Sequence, residues 1–218
     1  GRQEISLLSK IHKIDIHSLT GDCFMQAPFW KLYGREMHDR KKDFFSIINA
    51  CSQIGIRYVV IPLVDGGRLE NNDQSKALLE FLNNNELAIG NSGIQIIYES
   101  DFGPDKLKAF IEQFDCKIFG INYDIGNSAA LGFDVEKEFY AYGRRILNVH
   151  VKDRIFNGTT VQLGMGNADF VKVFRQLKKI RYRGNYILQT ARADDGDHAS
   201  VLGHYKSMVE EWLNKNGS

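Results

Sequence analysis

The chain has 218 residues, of which 43% are hydrophobic and 25% charged, enough for one large core in a single domain. Its 28 Lys and Arg stand against 27 Asp and Glu, a formal net charge of +1, which excludes the strong basic excess of a nucleic-acid-binding domain. The longest apolar run, Tyr58 to Val64, is far too short to span a bilayer, and Cys23, Cys51 and Cys116 are odd in number with no metal-ligand spacing, so a soluble cytoplasmic protein without membrane or nucleic-acid partners is expected.

The chain opens on GRQEISLLSK, with no initiator Met and the character of the tail of an amphipathic helix; residues upstream of Gly1 are expected. Short β-branched runs then alternate with stretches of helical period, the signature of repeated βα units around a parallel sheet. The runs read as strands are 13–19 (KIDIHSL), 56–63 (IRYVVIPL), 94–99 (IQIIYE), 117–124 (KIFGINYD), 145–153 (RILNVHVKD) and 185–190 (NYILQT). Helices are expected at about 37–54, 72–91, 104–114, 134–144, 168–180 and 197–215, from apolar spacings such as Phe44, Ile47, Ile48 and Cys51. Pro104 after Gly103 marks one helix start, Asp134 another, and Asn167 with Asp169 a third. The stretch LGMGNAD (163–169) precedes a helix but follows no strand long enough for a nucleotide-binding turn. Six such units favour a (β/α)8 TIM barrel, with about six of its eight units present, over an open doubly wound sheet, and place the chemistry at the carboxyl ends of the strands.

Four strands end in groups able to share a cation: Glu99, Asp124, His150 and Gln189. Two carboxylates, one imidazole and an amide carbonyl suit Mn²⁺, Mg²⁺ or Co²⁺, and less distinctively Zn²⁺. Each also has a plainer reading. Asp124 heads DIGN, where Asp and Gly are ordinary turn formers; His150 between two valines can be a hydrogen-bonded core histidine; Gln189 alone says little. Glu99, closing a run as apolar as Ile96, Ile97 and Tyr98, is the hardest to dismiss, because an unpaired buried acid is costly.

From about residue 13 to the end, the chain resembles the xylose isomerase-like barrels, most closely the branch of L-ribulose-5-phosphate and L-xylulose-5-phosphate 3-epimerases. The resemblance is carried, in order, by HSLTGDCFMQAP (17–28), IGIRYVVIPLVD (54–65), YESD (98–101), DIGNSAALGFDVEKE (124–138), VHVKD (149–153), LGMGNADFVKVFRQLKK (163–179) and YRGNYILQ (182–189). It implies a divalent metal held by Glu, Asp, His and Glu from four late strands, with both Glu residues moving protons. Glu99, Asp124 and His150 match that pattern; Gln189 stands where the second Glu is expected. It also implies that 13–19 is the third strand of eight, so that residues 1–218 form one domain lacking the first two strands, and that a homodimer is common.

Gln189 limits the chemistry. Its carbonyl can ligate, but an amide takes up no proton at any working pH. Epimerisation at carbon 3 needs a base on one face and an acid on the other, whereas a single base suffices for a same-face shift between adjacent carbons. The leading expectation is a metal-dependent isomerase or epimerase of a ketose or sugar phosphate, with Glu99 as base and ligand and Gln189 in the second catalytic position. Substrate contacts are expected from His17, Lys152 and Arg192, the last two alternatively being solvated loop charges. The second reading is a sugar-binding barrel impaired in catalysis by Gln189. An abasic-site endonuclease ranks last, because it needs more metal ligands and a basic surface.

Overall fold

The computed structural model describes residues 1–215. The described residues form two compact units, residues 1–100 with 110–120, and residues 101–109 with 121–215.

The first unit opens on α1 (Arg2–His12), followed by β1 (Ser18–Thr20), α2 (Asp22–Gln26), α3 (Gly34–Ile54), β2 (Tyr58–Leu63), α4 (Asn72–Asn84), α5 (Glu86–Asn91) and β3 (Gln95–Ser100). Strands β1, β2 and β3 are parallel neighbours, with Ser18 opposite Tyr58 and Tyr58 opposite Gln95. The Ile96 N–H donates to the Ile118 carbonyl at 2.9 Å, which brings the approach to the next strand alongside β3. The first strand is shorter than the expected 13–19: Lys13 takes a left-handed conformation (φ 52°) that caps α1, so pairing begins only at Ser18. The expected helix 72–91 is likewise divided at Asn85, whose side-chain amide donates to the Phe81 carbonyl at 2.7 Å. The core is aromatic. Phe29, Phe44 and Phe81 pack edge to face with centroids 4.7 to 6.4 Å apart, and Tyr98 meets Phe110, Phe114 and Phe119, geometries that add to simple area burial.

The second unit takes up most of α6 (Pro104–Ile111) and of β4 (Phe119–Asp124), then α7 (Ile125–Leu131), α8 (Val135–Tyr142), β5 (Ile146–Val151), the short hairpin of β6 (Asp153–Arg154) and β7 (Thr160–Val161), α9 (Phe170–Lys179), β8 (Asn185–Leu188) and α10 (His198–Lys215). Strands β4, β5 and β8 are parallel neighbours. The expected caps are present: Asp134 accepts from the Lys137 N–H and Asp169 from the Lys172 N–H, each at 2.9 Å, and Pro104 is the first residue of α6. Helix α9 buries Phe170, Val173, Phe174 and Leu177, spaced three and four apart on one face. The β6–β7 hairpin and α7 were not expected from the sequence.

One irregularity sets up the site. The pairing of β4 with β5 shifts between Ile121 opposite Ile146 and Asn122 opposite Asn148, passing over Leu147. Side chains alternate along a strand, and a bulge resets that alternation. Ile121 and Ile146 therefore share one face, while Asn122 and Asp124 line up with Asn148 and His150 on the other.

Candidate functional site

Asp124 ends β4 with its side chain 2% exposed. Its Oδ1 accepts from the Asn127 N–H at 2.8 Å and so caps α7. Its Oδ2 takes no part in that cap: the Lys152 ammonium stands 2.8 Å away and His150 Nδ1 3.8 Å away. The turn-former reading of Asp124 takes the form of a helix cap through Oδ1, which leaves Oδ2 outside the cap. Burial pushes the Asp124 carboxyl up, but the neighbouring His150 and Lys152 outweigh it and hold the carboxyl below its ordinary range.

His150 belongs to a buried polar chain. Asn148 Nδ2 donates to Asn122 Oδ1 at 2.7 Å, and Asn122 Nδ2 lies 3.1 Å from His150 Nδ1. An amide nitrogen only donates, so in this contact Nδ1 accepts, through its single lone pair. The three residues are 0 to 2% exposed. Asn122 and Asn148 were missed in the sequence, although each stands two residues before a residue singled out there, which on a strand means the same face.

Gln189 follows β8 directly, its N–H donating to the Val151 carbonyl at 3.1 Å. Its side-chain Oε1 accepts from Lys152 Nζ at 2.9 Å. Lys152 therefore bridges Gln189 and Asp124, and its stem lies against Gly126 of α7: a Cβ there would stand 2.8 Å from Lys152 Cγ. The carboxyl ends of β4, β5 and β8 thus bring Asp124, His150, Lys152 and Gln189 together. Glu99 closes β3 in the first unit, opposite Pro62 and 6% exposed. His17 precedes β1, at the amino end of that strand, where its carbonyl accepts from Arg57 and Tyr58. Arg192 is exposed in the segment after β8, with no hydrogen bond or ion pair tying it to the other site residues among the described residues.

Two further carboxylates organise the surroundings. Asp153, fully buried, accepts from the N–H groups of Gly164, Gly166 and Ala168 at 2.9 to 3.1 Å. The loop LGMGNAD is therefore wrapped around a carboxylate of its own chain, and a Cβ on Gly166 would collide with it. Glu138, 2% exposed, accepts from Tyr123, Ser128 and Tyr142 at 2.6 to 2.9 Å. Burial raises the Glu138 carboxyl above its ordinary value even though these hydroxyls oppose the shift.

Residues 2–208 match the model of the xylose isomerase-like TIM barrel. The chain belongs to that family, and its six parallel strands with intervening helices are an incomplete (β/α)8 barrel. Among curated relatives, the chain is 30% identical over 115 residues to the L-ribulose-5-phosphate 3-epimerase UlaE of Escherichia coli O1:K1 / APEC, a match covering 51% of this chain and 40% of that protein. The first relatives it matches are spanned over only 38% to 40% of their own length. Among solved structures, a xylose isomerase domain protein from Planctomyces limnophilus superposes with TM-score 0.79 at 18% identity, covering 99% of this chain and 84% of that one. A second, the IOLI protein described as having a bound zinc atom, superposes with TM-score 0.74 at 15% identity, covering 98% of this chain and 93% of that one. No helix among the described residues is long and apolar enough to cross a membrane.

Proposed function

We propose that the chain is a metal-dependent isomerase or epimerase of a ketose or ketose phosphate, built as one barrel domain. What carries the reading is Asp124: a buried carboxylate with one oxygen spent on capping α7 and the other facing His150 and the Lys152 ammonium. Such an oxygen is costly unless a cation completes it. The donor types fit a divalent ion. Asp124 Oδ2, the His150 imidazole, Glu99 and the Gln189 carbonyl would hold it, and Glu99, Asp124 and His150 are all buried. Kinship with a family that includes an L-ribulose-5-phosphate 3-epimerase, and likeness to a fold neighbour described with zinc, support the same reading.

Bound there, a divalent ion supplies positive charge beside the substrate carbonyl, where negative charge develops as the neighbouring carbon loses its proton. The protein groups divide the remaining work. Glu99 takes the proton from the carbon next to the carbonyl. The Asn148, Asn122 and His150 chain orients the imidazole, and the α7 cap fixes Asp124. Gln189 orients without exchanging protons, so a same-face transfer by one base fits this chain better than a two-base inversion. Lys152 and Arg192 are the cations available to sugar hydroxyls or a phosphate; His17, at the amino end of β1, has no place in this scheme.

The test is incubation of the Mn²⁺-loaded protein in D₂O with a panel of pentulose and hexulose phosphates. Deuterium entering next to the carbonyl is the expected result, and a panel with no exchange counts against the proposal. A second reading, binding of a sugar without turnover, is favoured by the engagement of the Gln189 amide with Lys152. Gln189→Glu separates the two: a large gain in turnover marks the natural chain as impaired, and a loss shows that the amide serves the native reaction.

A further inference from the structure

Lys152 does something at this site that neither its charge nor its position in VHVKD announces. Its ammonium stands 2.8 Å from Asp124 Oδ2 and 2.9 Å from Gln189 Oε1, and its side chain is only 12% exposed. Both oxygens are proposed ligands, and both are occupied at cation distance by a positive charge covalently tied to the chain. The approach is sterically prepared. The Lys152 stem passes over the bare α-carbon of Gly126, where a Cβ would lie 2.8 Å from Cγ and 3.1 Å from the Lys152 Cβ. Gly126 lies inside a helix and its φ is not in the left-handed region, so alanine would favour the helix; what glycine provides is room for the lysine.

We propose that Lys152 is an internal cation of the site. In the metal-free protein it neutralises Asp124 and holds Asp124 and Gln189 in ligand-ready positions, and it leaves Asp124 when a divalent ion takes Oδ2. This rests on the metal reading given above. The physical reason is that two cations cannot share one buried carboxylate oxygen without strong repulsion, so binding of the ion displaces the ammonium and its observed affinity is lowered by the competition. The arrangement also gives Gln189 a purpose. A neutral amide accepts from the ammonium as a carboxylate would, yet lets the lysine depart without leaving a further negative charge behind. Once displaced, the ammonium remains at the rim, where a substrate's anionic group is its natural partner.

The test is isothermal titration of the whole chain with MnCl₂ and, separately, with MgCl₂, CoCl₂ and ZnCl₂, together with thermal melts with and without Mn²⁺, for the wild type, Lys152→Met and Gly126→Ala. Lys152→Met keeps the stem and removes the charge. It is expected to bind Mn²⁺ about tenfold or more tightly than the wild type, to melt lower without the ion because Asp124 loses its counter-charge, and to gain more from Mn²⁺ than the wild type does. Gly126→Ala keeps the charge and crowds the stem, and it too is expected to bind Mn²⁺ more tightly; this variant decides the matter if Lys152→Met fails to fold. Binding equal to or weaker than wild type in the folded variants overturns the role of Lys152 while leaving the metal reading intact. Absence of any Mn²⁺, Mg²⁺, Co²⁺ or Zn²⁺ binding by wild type and variants alike overturns the metal reading, and this inference with it.

Discussion

Asp124 shows how one side chain serves the fold and the site at once. Because Oδ1 caps α7 and Oδ2 pairs with Lys152, the two duties can be separated by substitution. Asp124→Asn keeps a cap-competent oxygen and loses the charge; Asp124→Ala loses both. Urea unfolding is expected to place the alanine variant about 1 kcal/mol below the asparagine variant, the usual worth of a cap. Both should fall below wild type by about 3 kcal/mol or more, because a mostly buried ammonium is left without its partner. Neither variant should bind Mn²⁺ measurably by titration. Equal stability of the two would show that the cap contributes nothing.

Glu138 provides a pH test with a definite sign. Its carboxyl is raised above its ordinary value, chiefly by burial. The stability linked to it is therefore fully present below the unfolded value and is lost as pH rises through the folded one. Asp124 works in the opposite sense: its carboxyl is lowered, so its contribution is present above the unfolded value and lost as pH falls through the folded one. A comparison isolates Glu138. The stability of Glu138→Gln minus that of wild type, from urea unfolding, is expected to grow as pH rises from about 4 toward neutrality; a difference independent of pH contradicts this. Of these residues, Asp124, His150 and Gln189 were legible in the sequence because polar groups at the ends of apolar strands stand out. Lys152 was legible as a rim cation only. Its direction is set by a glycine 26 positions away in the chain, a relation no local pattern records.

At the scale of elements, the loop from Leu163 to Ala168 owes its course to Asp153. Three backbone N–H groups converge on a carboxylate with no exposure to water, and charge-assisted bonds of this kind are the stronger ones. Asp153→Ala is expected to cost about 3 kcal/mol or more in urea unfolding, since it leaves three donors without their acceptor; a loss under about 1 kcal/mol would show that the loop holds itself. The sequence showed the glycines of this loop but not their partner, because Asp153 reads as one charge among several in VKDR. Helix starts were more legible. Asp134, Asp169 and Pro104 carry local chemistry that works wherever the helix packs. Helix α7 was missed because DIGN satisfies a turn as well as a cap, and only the run NSAAL beyond it continues the helix. The strand expected over 13–19 failed for the reverse reason: Ile14 and Ile16 alternate correctly but are 60% and 39% exposed, and the pairing of β1 with β2 begins only at Ser18.

For the molecule as a whole, the parallel βα order was legible from alternating patterns, and the family from seven short motifs in the right order, which the match over residues 2–208 bears out. Charge balance at +1 bears on the least favoured chemistry. A duplex carrying an abasic site is expected to remain uncut by the Mn²⁺-loaded protein in a gel assay at physiological salt, since a phosphate backbone is gripped through many Lys and Arg contacts; specific incision would reopen that reading. The most direct test of the central claim is deuterium incorporation from D₂O into a ketose phosphate turned over by wild type, compared with Glu99→Gln, both loaded with Mn²⁺. The account predicts incorporation at the carbon next to the carbonyl in wild type and its loss, by about a hundredfold or more, in the variant. Incorporation at the same rate in Glu99→Gln would contradict it.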